Sequence, residues 1–147
     1  VVVDIRSRFE FESRLFARRR ASNVVVRELS ELMAEAQAEA YGDALDPDER
    51  HPLMWAAKPH YYGSTFYNWP YTFGLLFGLG LYARWLDDAP AFRAEYADML
   101  SSTGMETASQ LGARFGIDLA DEAFWTASLD VLRARIDDFC AAVSPPG

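Results

Sequence analysis

Apolar residues recur at intervals of three and four through most of this chain, the spacing that places them on one face of an α-helix. The pattern is clearest from Leu29 to Tyr41 and from Phe124 to Phe139. No segment alternates apolar and polar residues between turn signals, so the sequence does not favour a β-sheet. It therefore predicts an all-α fold, one domain of about six helices.

The ends of the predicted helices carry recognisable signals. The helices cover approximately residues 4–20, 29–41, 71–86, 90–100, 107–115 and 122–143. Gly42 stands where a helix C-cap belongs, and Asp121 stands at an N-cap position before the last helix. We expect Cys140, near the end of that helix, to be a small core residue. The tail, residues 144–147, is expected to be a frayed end.

The most apolar segment, 71–86, contains Gly74, Gly78 and Gly80. A pair of glycines four residues apart, such as Gly74 and Gly78, marks helix dimerisation in lipid. The segment is shorter than the roughly 18 residues that a membrane span needs, and it includes Arg84. We therefore predict a buried central helix whose glycines let neighbouring helices approach closely.

The charge balance excludes some partners. Acidic residues outnumber basic ones by 22 to 14, for a net charge of −8. Such a chain is a poor candidate for binding nucleic acid, and the run Arg18, Arg19 and Arg20 is interpreted as a solvated helix end.

One cysteine cannot form an internal disulfide, and no signal peptide stands at the start. We expect a cytoplasmic protein with no membrane partner.

Residues 51–74 are the segment most indicative of chemistry. They include both histidines, the only lysine and four of the seven tyrosines. Polar-tipped aromatic residues are unusual at this density in a plain core, because each buried hydroxyl or ring nitrogen needs a partner. A packed tyrosine stripe with a satisfied histidine would explain this composition about as often as a binding site would.

Three side chains of this segment could converge on one ligand. Tyr67 and Tyr71 are four residues apart, so a helix that begins near Trp69 would direct both hydroxyls toward the space above its N-terminus. That end favours anions and carbonyl oxygens. His60 lies just before it, in a loop that contains Gly63. Donors that converge on one oxygen are what oxyanion stabilisation requires.

The two histidines, His51 and His60, do not have the spacing of a metal pair on one helix, where ligands stand four residues apart. We predict no metal site from them.

Several motifs, in the right order along the whole chain, resemble the C-terminal part of the oligoendopeptidase F family, zinc metallopeptidases related to thimet oligopeptidase. They are RFEFE at 8–12, EAYGDALD at 39–46, PHYY at 59–62, FYNWPYTFG at 66–74, GLYAR at 80–84, LSSTG at 100–104 and GIDL at 116–119.

The resemblance implies an almost wholly helical enzyme that hydrolyses short peptides in a deep channel. In that family two histidines of an HExxH helix and a later glutamate hold zinc, and the HExxH glutamate activates the zinc-bound water. Further along, a histidine and tyrosines bind substrate and stabilise the tetrahedral intermediate. The corresponding residues here are His60, Tyr67 and Tyr71. The remaining substrate contacts that it implies are Tyr61, Tyr62, Gly63 and Asn68.

The sequence departs from the family pattern because it contains no HExxH, and it begins with Val1 rather than Met. We therefore expect residues 1–147 to be a C-terminal fragment of a larger peptidase, with zinc in the parent and none in this chain.

The expected partners are short peptide substrates, the N-terminal remainder and other copies of the fragment, which would associate through exposed apolar surface. The chain alone is expected to be inactive, since the activated water is missing. The alternative is a free-standing, non-catalytic helical module that binds peptides or another protein.

Overall fold

The computed structural model describes residues 1–143, and all regular structure in that range is helical. The α-helices are α1 (Val2–Arg19), α2 (Val26–Tyr41), α3 (His60–Gly63), α4 (Trp69–Asp87), α5 (Ala89–Ser101), α6 (Ala108–Arg114) and α7 (Glu122–Val143). Short 3-10 turns cover Gly42–Ala44, Pro47–Glu49 and Met54–Ala57. The prediction of an all-α fold is confirmed, and each of the six predicted helices is present.

The single turn α3 was not predicted, and the segment around His60 was interpreted as a loop. A helix of four residues is too short to show an apolar period. The predicted frayed tail, 144–147, lies outside the described residues. The chain divides into two compact units, the first Val1–Phe73 and the second from Gly74 onward.

The core of the first unit is built by α1 and α2. Phe11 of α1 and Met33 and Ala36 of α2 are fully buried there. The residues that pack partly against this core are Leu15, Leu29, Leu32, Met54, Trp55 and Tyr61. The segment after α2 thus closes the core, which brings the helical turn α3 against α1 and α2.

A buried glutamine ties the segment after α2 to that helix. Gln37 donates from Nε2 to the carbonyl of His51 and accepts from the His51 amide at Oε1, each at 2.9 Å. Both polar atoms of this buried side-chain amide are therefore satisfied, as burial of polar groups requires. Gly42 ends α2 with a φ of 55°, a conformation in which glycine has no Cβ penalty, so the predicted C-cap is confirmed.

The core of the second unit is formed by Met99, Phe115 and Ile117. Partly buried Phe77, Leu81, Leu111, Leu119 and Phe124 surround it. Arg84 Nη1 donates to the carbonyl of Phe115 at 2.5 Å, which ties α4 to the end of α6. Asp121 Oδ1 accepts from the amide of Ala123 at 2.9 Å, as expected of an N-cap residue.

Two predictions about buried residues are wrong. A Cβ on Gly74 or Gly78 would meet nothing within 4 Å, so neither glycine permits a close approach. The close approach falls at Gly80, the one buried residue of α4, and α4 is not a fully buried helix. Cys140 is exposed on α7 rather than in a core.

Among residues 1–143, no helix combines the length and apolar character needed to cross a membrane.

Candidate functional site

The candidate site lies in the first unit, at the short helix α3 and the N-terminus of α4. His60 begins α3, directly after Pro59, and Tyr67 stands two residues before α4. Tyr71 lies in the first turn of α4, which begins at Trp69, two residues before the predicted bound at 71. Only five residues, 64–68, separate α3 from α4, and the rings of His60 and the two tyrosines lie in the same region.

The rings of His60, Tyr67 and Tyr71 form one cluster, which we call the His–Tyr cluster. The centroid of His60 lies 5.0 Å from that of Tyr67 and 5.9 Å from that of Tyr71. The two tyrosine rings are 6.2 Å apart and meet edge to face at 87°. These separations fall in the range of favourable aromatic contacts. The structure thus brings together the three residues that were predicted to act together.

The exposure of the cluster differs between its members. Tyr67 and Tyr71 are 47% and 45% exposed, so a ligand can reach their rings. His60 is half-buried, and its Nδ1 is itself buried, without a hydrogen-bond partner among the described residues. A phenol hydroxyl can donate or accept a hydrogen bond, and a neutral imidazole has one donor nitrogen and one acceptor nitrogen. The cluster can therefore offer hydrogen-bond donors to an oxygen placed over it.

The four further substrate contacts implied by the resemblance lie in different environments. Tyr62 is exposed, and its hydroxyl donates to the carbonyl of Trp55 at 3.4 Å. Gly63 ends α3 with open space around it. Asn68 is 1% exposed, and neither of its side-chain amide atoms has a partner among the described residues. The structure leaves Asn68 enclosed beside the exposed cluster.

Tyr61 points into the core of the first unit instead. Its ring meets that of Phe11 edge to face with centroids 5.1 Å apart, and its hydroxyl is buried without a partner in residues 1–143. Burial raises the pKa of Tyr61, and the nearby carboxylates of Glu12 and Asp4 raise it further, against the opposing effect of Arg8. This tyrosine therefore contributes packing to the core, whereas Tyr67 and Tyr71 face outward.

We expect the free energy of unfolding to fall above about pH 10, partly because of Tyr61. The unfolded chain loses the phenolic proton near pH 10 while the folded chain retains it, so raising the pH favours unfolding. Tyr61→Phe should remove about 0.5 kcal/mol of the loss measured by urea unfolding between pH 9 and 11, a figure reduced for partial exposure. Tyr62→Phe, at an exposed tyrosine, is the matched control. If the free energy of unfolding falls equally steeply with pH in both variants, the assignment to Tyr61 is contradicted.

One structural feature beside the candidate site was missed from the sequence, although the motif that contains it was noted. Glu12 is buried, and its Oε1 accepts a hydrogen bond from the amide of Phe66 at 2.7 Å. The signal was available in part, because Phe9, Glu12 and Phe16 share one face of α1 by their spacing. Nothing in the sequence indicated that this face receives the residue before Tyr67.

The described residues do not supply a zinc site. No group of three or more His, Cys, Asp or Glu side chains within 1–143 is arranged to hold a metal ion. The His–Tyr cluster itself can offer hydrogen bonds from its own side chains.

Comparison of the chain with protein families, with curated proteins and with solved structures finds no match.

Proposed function

We propose that this chain forms the substrate-side wall of a zinc-dependent oligopeptidase that hydrolyses short peptides. In this proposal His60, Tyr67 and Tyr71 bind the peptide and donate hydrogen bonds to the oxygen of its tetrahedral intermediate. Donors fixed in advance around a developing oxyanion stabilise it without reorganising during the reaction. The observation that carries the proposal is the His–Tyr cluster itself, three rings with centroids within 6.2 Å of one another.

Two further features support this role over that of a simple core. A core cluster would bury its polar groups, yet Tyr67 and Tyr71 are exposed at the start of α4. The helix N-terminus also carries partial positive charge, which favours an oxyanion nearby. A longer protein would supply the metal half, in the cytoplasm, and we expect no peptide hydrolysis from these 147 residues alone.

The proposed partners follow from the same interpretation. The first unit has an apolar cavity of about 410 Å³ whose lining includes Ile5, Phe9, Trp69 and Phe73. Apolar surface of this kind favours association with other protein. We propose that the remainder of the peptidase contacts this unit, and that isolated copies associate with each other when it is absent.

The test uses a phosphinic tetrapeptide, whose tetrahedral anion resembles the intermediate, and the ordinary peptide of the same sequence. We expect the phosphinic peptide to bind more tightly and to shift the ring signals of His60, Tyr67 and Tyr71 in NMR spectra. Tyr67→Phe should weaken its binding about three- to tenfold, the loss of one hydrogen bond.

The control is Tyr96→Phe, because Tyr96 is exposed in the second unit and stacks on Phe92. The affinity of the Tyr96→Phe variant for the phosphinic peptide should equal that of the unsubstituted chain. Equal affinity for the two peptides, unaffected by Tyr67→Phe, would contradict oxyanion binding and favour a non-catalytic peptide-binding module.

A further inference from the structure

The buried carboxylate of Glu12 holds the residue that precedes Tyr67. Glu12 is 3% exposed, and its Oε1 lies 2.7 Å from the amide nitrogen of Phe66. The other oxygen, Oε2, has no hydrogen-bond partner among the described residues. Burying a carboxylate is costly unless it is well paired, so an apolar side chain would pack here at lower cost. What the glutamate adds is a charge-assisted acceptor for one backbone amide.

The backbone that Glu12 holds is strained. Phe66 has a φ of 53°, and it is the one residue other than glycine with positive φ in residues 1–143. Bulky side chains rarely adopt this region, and such a conformation persists only where the surroundings impose it. The Glu12 hydrogen bond is one such constraint.

Two rings of α1 supply a second constraint on the same residue. The Phe66 ring stacks on Phe16 with centroids 5.2 Å apart at 26°, and it contacts Phe9 at 5.6 Å. Phe9, Glu12 and Phe16 therefore hold both the side chain and the amide of Phe66 from one face of α1. The chain direction at the next residue is fixed by this arrangement.

We infer that Glu12 is a positioning residue that holds Phe66 in its left-handed conformation and thereby places Tyr67 against His60. The meaning of this placement rests on the proposed function, since Tyr67 is one of its hydrogen-bond donors. The placement itself is a property of the chain without a ligand. It can be measured without any peptide.

The experiment follows the ring protons of His60 by NMR, with the exposed His51 as an internal reference. The neighbouring tyrosine rings should displace the His60 signals in the unsubstituted chain. Glu12→Leu removes the acceptor and should reduce that displacement by about half or more, because the aromatic contact depends on ring placement. Glu12→Gln keeps an acceptor and should retain the displacement. Phe66→Gly added to Glu12→Leu should restore part of it, since glycine adopts positive φ without strain.

The matched control is Glu10→Leu, which changes a partly exposed carboxylate on the same helix and should leave His60 unchanged. A folded Glu12→Leu chain with unchanged His60 signals would overturn the inference. If that variant does not fold, hydrogen exchange of the Phe66 amide in the unsubstituted chain decides. Slow exchange is expected, and exchange at the rate of an open amide would overturn the inference. If Glu12→Leu loses the displacement of the His60 signals but the unsubstituted chain binds no phosphinic peptide, the positioning role is retained and the proposed function is rejected.

Discussion

Phe11→Ala is expected to lower the free energy of unfolding of the first unit by about 3–5 kcal/mol, the usual cost of removing a buried phenylalanine ring. Phe11 is 1% exposed and packs with Met33, Ala36 and the ring of Tyr61. Removing the ring leaves a cavity between α1 and α2, and the surrounding residues relax only partly to fill it. Because small domains are stable by only about 5–15 kcal/mol, this change could unfold the unit.

Hydrogen exchange followed by mass spectrometry measures this effect within each unit. Peptides from α1 and α2 should exchange much faster in Phe11→Ala than in the unsubstituted chain. Phe16→Ala is the matched control, because Phe16 lies on the same helix but is 41% exposed. Its expected cost is about 1 kcal/mol, mainly the contact with the ring of Phe66. Equal exchange in the two variants would show that Phe11 is not the centre of this core.

Gly80→Ala should destabilise the second unit by about 1–3 kcal/mol, the range for inserting an atom into a packed contact. A Cβ on Gly80 would lie 2.6 Å from Cε2 of Phe124 and 2.8 Å from Oγ of Ser128. Ser128 is fully buried and donates to the carbonyl of Phe124 at 3.0 Å, so neither neighbour moves away without disturbing α7. The steric cost outweighs the better helix propensity of alanine.

Gly78→Ala provides the contrast on the same helix. A Cβ there meets nothing within 4 Å, so alanine should stabilise α4 by about 0.5–1 kcal/mol. Urea unfolding should therefore move in opposite directions for the two variants. A shift in the same direction for both would mean that α4 and α7 do not meet at Gly80.

The helices could be predicted from the sequence because their signals are local. The apolar period, Gly42 after α2 and Asp121 before α7 act within a few residues, and the structure retains each of them. The apolar period placed the start of α4 at 71, two residues after its start at Trp69. That start, together with the four-residue spacing of Tyr67 and Tyr71, explains why the sequence could anticipate part of the His–Tyr cluster.

Contacts between distant segments could not be predicted. The sequence offered three glycines in α4, and only packing against α7 distinguishes Gly80 from Gly74 and Gly78. Cys140 shows the same limit, since an apolar period does not say whether another element covers that face.

By itself, the sequence determined that this protein is helical, approximately where each main helix begins and ends, and which tyrosines share one region. These properties depend on backbone geometry and on residues a few positions apart. The tertiary structure decided that Tyr61 faces the core, that α4 meets α7 at Gly80, and that Glu12 holds Phe66 across a separation of 54 residues. Those outcomes depend on which side chains the folded chain brings into contact, and no local pattern encodes that choice.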